Sequence, residues 1–346
     1  MSAGLVPLLG RLGVSLLVSS YQSGILYSIG RNPNGGLHLH KTSLNKPMGI
    51  CSSGEGKFTV ATGHQIVRFE NILEGNERAN GIFDACFAPR TIHVTGSLDA
   101  HDVGIDSTDR PIFVNTRFNC LAAVDARHSF VEIWRPRFID ALIDEDRCHL
   151  NGLAMDSGRP ALATSISRSN TIDGWRDRRS RGGVVICVES GAIVCDGLSM
   201  PHSPRMYRDR RWVLNSGTGE FGELVSSSVG ISTEFRFQPL LFCPGFLRGL
   251  AFSQNFAFVG LSKPRYNRFT GLELDGKLRQ ADSEAWCGLH VIDLDKGSCT
   301  EWFRIDGSVT ELYDLEILQG CSTPMVVAPG SEEASGLVTF EKSISA

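Results

Sequence analysis

A net charge of -4 over 346 residues provides no basic field for nucleic acid or an anionic membrane surface. An apolar content of 42% suffices for a sizeable core, and 37 glycines suit a turn-rich all-β chain. The ten cysteines are scattered without a CxxC pair, which argues against a zinc ribbon or a disulfide framework and for buried thiols in a reducing cytoplasm.

Residues 1–14 hold two apolar patches interrupted by Arg11, so they do not read as a secretory leader. No stretch approaches the ~20 apolar residues of a membrane helix. A soluble, cytoplasmic protein is expected. From residue 16 the chain falls into short β-branched and aromatic runs bounded by Gly, Asn, Asp, Ser or Pro, with no long helical periodicity in competition.

One short segment recurs without gaps: KPMGIC at 46–51, HDVGID at 101–106, HLNGLA at 149–154, HSPRMY at 202–207, FLRGLA at 246–251 and, more loosely, LYDLEI at 312–317. After these copies come apolar runs that end in small or polar residues, at 58–62, 112–116, 161–165, 212–216, 256–260 and 325–329, and a further copy opens the chain at 16–20. Third strands read at 24–28, 65–69, 121–125, 183–187, 223–226, 288–293 and 336–340, and more polar outer strands at 37–42, 130–134, 193–196, 234–237 and 300–305. A four-strand unit recurring every ~50 residues describes the blade of a β-propeller. The expectation is a single all-β propeller domain over 1–346, built of four-stranded antiparallel blades. Seven second-strand and seven third-strand copies favour seven blades; six inner-strand copies make six the alternative. The recurrent Gly49, Gly104, Gly152 and Gly249 fit inner strands that crowd toward the axis.

Two insertions break the rhythm, at 167–181 and 263–286. In a propeller, loops between second and third strands share a face with the segments that enter the inner strands. That face then carries both insertions, His101, His149 and His202, and the strand-end Asn115 and Asn215. Three imidazoles in one register on adjacent blades would meet at a channel mouth, and with an open position they could ligate Fe, Zn or Mn. Asp102 and Glu316 are the candidate base or fourth ligand. Asn151, Arg205, Arg248 and Tyr313 are candidate substrate contacts, the arginines as clamps for an anionic group. The implied function is an enzyme acting on a small polar or anionic molecule by lyase, hydrolase or oxygenase chemistry. The alternative is a propeller that binds a ligand or protein without turnover, which for a polysaccharide would show exposed aromatics such as Trp175, Tyr266 and Trp286.

The segments CHLNGLA at 148–154 and VLNSGTGE at 213–220 resemble a bacterial family of conserved hypothetical proteins, over almost the whole chain. The resemblance supports the propeller fold and implies no activity. In architecture alone the chain is similar to metal-bearing propellers, the carotenoid-cleaving oxygenases with iron on four axial histidines and the oligogalacturonide lyases. It departs from the oxygenases where the fourth equivalent copy has Phe246.

Overall fold

The computed structural model describes residues 1–54, 56–226, 234–264 and 268–340. They form six antiparallel blades arranged in one ring. Blade 1 pairs Asp314–Gln319, innermost, with Val14–Ser20, Ile25–Arg31 and Leu37–Ser43. Blade 2 runs outward through Ile50–Ser52, Lys57–Ala61, Gln65–Asn71 and Ala85–Val94. Blade 3 holds Ala100–Ile105, Pro111–Asn115, Cys120–Ala123 and Val131–Trp134, and blade 4 holds Leu150–Asp156, Arg159–Ser165, Gly183–Cys187 and Ile193–Leu198. Pro201–Tyr207, Arg210–Asn215, Glu220–Ser226 and Phe235–Phe242 make blade 5. Phe246–Ser253, Phe256–Ser262, Gly288–Asp293 and Ser298–Arg304 make blade 6.

The expected seventh blade is absent from the described residues, for two reasons. The run at 325–329 is not a second strand: Pro324–Val326 lies parallel on the outer edge of blade 2, against Ala85–Phe87. The run at 336–340 begins at the last residue of a short helix, α3 (Glu332–Gly336), and is otherwise irregular. The opening run at 16–20 instead pairs with the last inner strand, Leu16 opposite Ile317, so the two ends of the chain clasp in blade 1. The outer strand Ala85–Val94 was not expected, and neither was helix α1 at Leu5–Leu12. In α1, Leu5, Leu8, Leu9 and Leu12 fall at helical spacing and are buried between blades 1 and 6. Gly13, at φ 66°, ends the helix in the left-handed conformation that glycine adopts freely. Helix α2, Leu274–Gln280, lies in the second insertion.

Each junction between blades holds one apolar cluster, for example Leu17 and Leu26 of blade 1 against Phe58, Val60 and Phe69 of blade 2. A blade is therefore covered on both faces, which is why Val14–Ser20 is buried at every position instead of alternating. The inner strands crowd as expected. A Cβ on Gly49 would lie 2.7 Å from Asp102 Cα, and one on Gly249 would lie 2.6 Å from the Leu315 amide nitrogen, each in the neighbouring blade. No helix of the described residues is long and apolar enough to cross a membrane.

Candidate functional site at the channel mouth

Small polar residues at the ends of the second strands fasten four of the six blades to the next. Ser19 Oγ donates to Met48 O (2.6 Å), Thr116 Oγ1 to Leu150 O (2.6 Å), Ser216 Oγ to Leu247 O (2.7 Å) and Ser262 Oγ to Leu312 O (3.1 Å). Two of these hydroxyls also touch a histidine of their own blade. Thr116 Oγ1 is 2.7 Å from His101 Nδ1, and Ser216 Oγ is 3.2 Å from His202 Nδ1. Each hydroxyl spends its one proton on the neighbouring carbonyl, so it accepts from the imidazole. The other partners agree: His101 Nδ1 lies 2.9 Å from Asp99 O, and His202 Nδ1 lies 2.8 Å from Met200 O. Carbonyls only accept, so both rings carry hydrogen on Nδ1 and present a bare Nε2. His149 follows the same plan with a carboxylate, its Nδ1 lying 2.6 Å from Asp146 Oδ2. It holds this pose at φ 54°, a left-handed backbone unusual for a non-glycine residue.

The three histidines belong to one continuous group. Trp175 stacks on His149 at 4.1 Å between centroids, His149 meets His101 edge-on at 4.8 Å, and His101 meets Tyr313 at 5.5 Å. The Arg248 guanidinium lies over the Tyr313 ring at 4.6 Å and near Phe246 at 5.6 Å, and Phe246 meets His202 at 5.5 Å. The group thus draws on blades 3, 4, 5, 6 and 1. It is nearly sealed, with His101, His149, His202, Arg248, Tyr313 and Trp175 all buried. Both insertions cover it: Trp175 packs with Ile166 and Met200, and against Phe246 and Leu272 of the second insertion. A surface groove lined by Arg268, Glu273 and Arg279 and another lined by Tyr21, Asn45 and Lys46 include none of the three histidines.

Burial decides the charge states. It drives His101 down to about 4, although Asp99 pulls the other way, and it holds His202 well below the ordinary imidazole range. Both rings are neutral at pH 7. Burial also lifts the Tyr313 hydroxyl well above the usual tyrosine range, so it keeps its proton. Several buried polar atoms find no partner among the described residues: His202 Nε2, Arg248 Nε and Nη1, the Tyr313 hydroxyl and Trp175 Nε1.

The other expected site residues are placed elsewhere. Arg205 is a brace at the axis. Its Nη1 donates to Asp102 Oδ2 (2.9 Å) and Leu153 O (3.0 Å), its Nε donates to Leu250 O (3.2 Å), and its Nη2 is 3.5 Å from Asp314 Oδ1. Asp102 also accepts from the Val103 and Leu153 amides, both at 3.0 Å. Glu316 accepts from the Ile317 amide at 2.8 Å and the Ser52 amide at 3.3 Å. These groups are held by structural bonds, which supports neither a clamp role for Arg205 nor a base role for Asp102 or Glu316. Asn115 Oδ1 accepts from the Phe118 amide (3.2 Å), Asn215 Oδ1 from the Ser199 amide (2.7 Å) and Asn151 Oδ1 from Thr164 Oγ1 (2.7 Å). Among the described residues no group of three or more His, Cys, Asp or Glu is arranged to hold a metal ion. Tyr266 lies outside the described residues.

A family model described as a domain of unknown function (DUF4915) matches residues 3–327. The chain belongs to that family. No curated protein matches it. Among solved structures, a chain of the nidogen/laminin complex aligns at TM-score 0.55 and 12% identity, over 89% of this chain and 99% of that one, a likeness of fold. A streptogramin B lyase aligns at TM-score 0.42 and 11% identity, over 71% and 72% of the two chains. A protein of unknown function from Bacteroides caccae aligns at 0.41 and 8%, over 88% and 99%. In this DUF4915 chain, the repeat pattern does not single out Asp146, Asp99 or the stacking role of Trp175. One signal for Asp146 was available, a carboxylate three residues before a mouth histidine.

Proposed function

We propose that the channel mouth is an acid–base site of an enzyme acting on a small polar molecule, by lyase or hydrolase chemistry. The observation that carries this reading is the shared tautomer of His101, His149 and His202, each tied at Nδ1 and bare at Nε2. His149 is the base: Asp146 orients it and would stabilise the imidazolium formed when Nε2 takes a proton. Tyr313, whose hydroxyl keeps its proton, would donate to negative charge developing on the substrate. The fold of Trp175 and Leu272 over the group keeps water out during the transfer.

A screen of small polar substrates should find turnover that His149→Ala lowers by about 10²–10⁴-fold, the usual worth of a positioned base. Asp146→Asn should lower it as well, with a shifted pH profile. Nitrogen NMR at pH 7 should report Nδ1-protonated, neutral rings for His101 and His202. Turnover indifferent to His149→Ala would sink the reading, and binding without any turnover would make this a ligand-binding propeller. Metal analysis covers the expected Fe, Zn or Mn: one equivalent lost on His101→Ala or His202→Ala would make the imidazoles ligands instead of bases.

A further inference from the structure

We propose that the molecule bound at this mouth carries a carboxylate and that Arg248 receives it; this rests on the mouth being the site. Arg248 is 8% exposed, and its Nε and Nη1 are fully buried without a partner. Among the described residues no carboxylate oxygen lies within ion-pair distance of it. The Asp99 carboxylate acts on it electrostatically, but that carboxylate sits toward His101 Nδ1 at 3.7 Å, with its side chain 48% exposed. A buried guanidinium without an acceptor is costly, and proteins keep such a group where a ligand supplies the missing anion.

The comparison inside the molecule sharpens this. Arg205 stands one register position further on in the repeat copy of the preceding blade, and it meets Asp102, Asp314 and two backbone carbonyls of other blades. Arg248 has only aromatic faces, Tyr313 and Phe246, which hold the guanidinium plane while leaving its N–H edge free. The Tyr313 hydroxyl, on the ring that Arg248 covers, and His202 Nε2, on the ring that meets Phe246, are also without partners, one a donor and one an acceptor. The ligand therefore presents an anionic group to Arg248 and a neutral polar group to the remaining atoms. No carboxylate reaches the guanidinium directly and the His101 and His202 rings are neutral, so its N–H edge accommodates one negative charge. A phosphate dianion would leave a second charge buried and unpaired, so the carboxylate is the fitting class.

Thermal unfolding of the full chain tests the assignment. Sodium formate, acetate, lactate, pyruvate and benzoate are compared with sodium chloride at matched ionic strength and with sodium phosphate, in wild type and in Arg248→Met. At least one carboxylate should raise the wild-type Tm by several degrees over chloride, and Arg248→Met should lose that shift. Without ligand, Arg248→Met should unfold no earlier than wild type, because an unsatisfied buried charge has been removed. Arg248→Lys keeps the charge and loses the planar fork, so its carboxylate shift should be smaller. The assignment is overturned if no carboxylate exceeds chloride, if phosphate alone stabilises, if Arg248→Met keeps the shift, or if that variant unfolds well below wild type in every buffer. Any of these would leave the acid–base reading standing, since the imidazole tautomers and the effect of His149→Ala decide that separately.

Discussion

Thr116 carries two duties on one oxygen. Its hydroxyl ties blade 3 to blade 4 through Leu150 O and, as an acceptor, fixes the proton of His101 on Nδ1. Thr116→Val keeps the shape and deletes both bonds. It should cost about 1–3 kcal/mol, the usual penalty for leaving a buried partner unsatisfied, read as a lower urea midpoint at unchanged slope. It should also mix the His101 tautomers. A wild-type midpoint together with a wild-type tautomer would show that the hydroxyl fixes neither. At this scale the structure puts His101 against His149, while His202 joins them only through Phe246, Arg248 and Tyr313. Arg205 and Arg248 sit in equivalent copies of the repeat, yet one is saturated by carboxylates of two other blades and one is not. They stand one position apart in the repeat frame, and the carboxylates that meet Arg205 come from residues far away in the chain, which periodicity does not report.

Among the elements, the inner strands set the tightest steric demand. Gly249 combines φ 79° with an approach to the Leu315 amide that a methyl group cannot fit. Gly249→Ala therefore meets overpacking and left-handed strain together, and we expect a loss of about 2–4 kcal/mol, measured by denaturant unfolding. A loss under about 0.5 kcal/mol, typical of tolerant surface sites, would mean that the strands separate easily. Most blade strands could be placed from apolar runs and turn residues, because each blade repeats the same physical problem of two covered faces. The blade count could not, since counting runs does not say what a run pairs with. Met325 and Val326 look like another second strand but lie parallel on the edge of blade 2. The lid is a second case. The sequence shows it only as an insertion that breaks the repeat, whereas the contact that closes the mouth is Trp175 on His149. Trp175→Ala should leave the blades folded and speed the reaction of His149 with diethyl pyrocarbonate. An unchanged labelling rate would mean that Trp175 does not shield the ring.

Over the whole ring, two sets of buried groups impose opposite pH dependences. On the axis Asp102, Asp314 and Glu316 surround the single guanidinium of Arg205. Burial, reinforced by Asp102, carries Asp314 up to about 8, and burial also raises Glu316. In the unfolded chain these carboxyls titrate near 4. Between about 4 and 8 the folded state therefore binds more protons than the unfolded one, and stability falls as pH rises. The mouth histidines act in reverse. Unfolded imidazoles titrate near 6.5, while His101 is held down to about 4 and His202 well below its usual range. Folding then binds fewer protons below pH 6.5, so stability falls as pH drops toward 4. The two slopes oppose one another below 6.5, and above it only the carboxylate limb remains. We expect maximal stability near pH 6.5 and a decline toward pH 8 of up to about 1.4 kcal/mol per pH unit for each group still titrating. Asp314→Asn removes the largest contributor to the alkaline limb while leaving the mouth histidines in place. Its midpoint in urea should change less between pH 6.5 and 8 than that of wild type, while the acid limb set by His101 and His202 stays in place. An alkaline limb of undiminished slope in Asp314→Asn would mean that the axial carboxylates are ionised throughout, with Arg205 and the backbone amides alone sufficient to hold their charge.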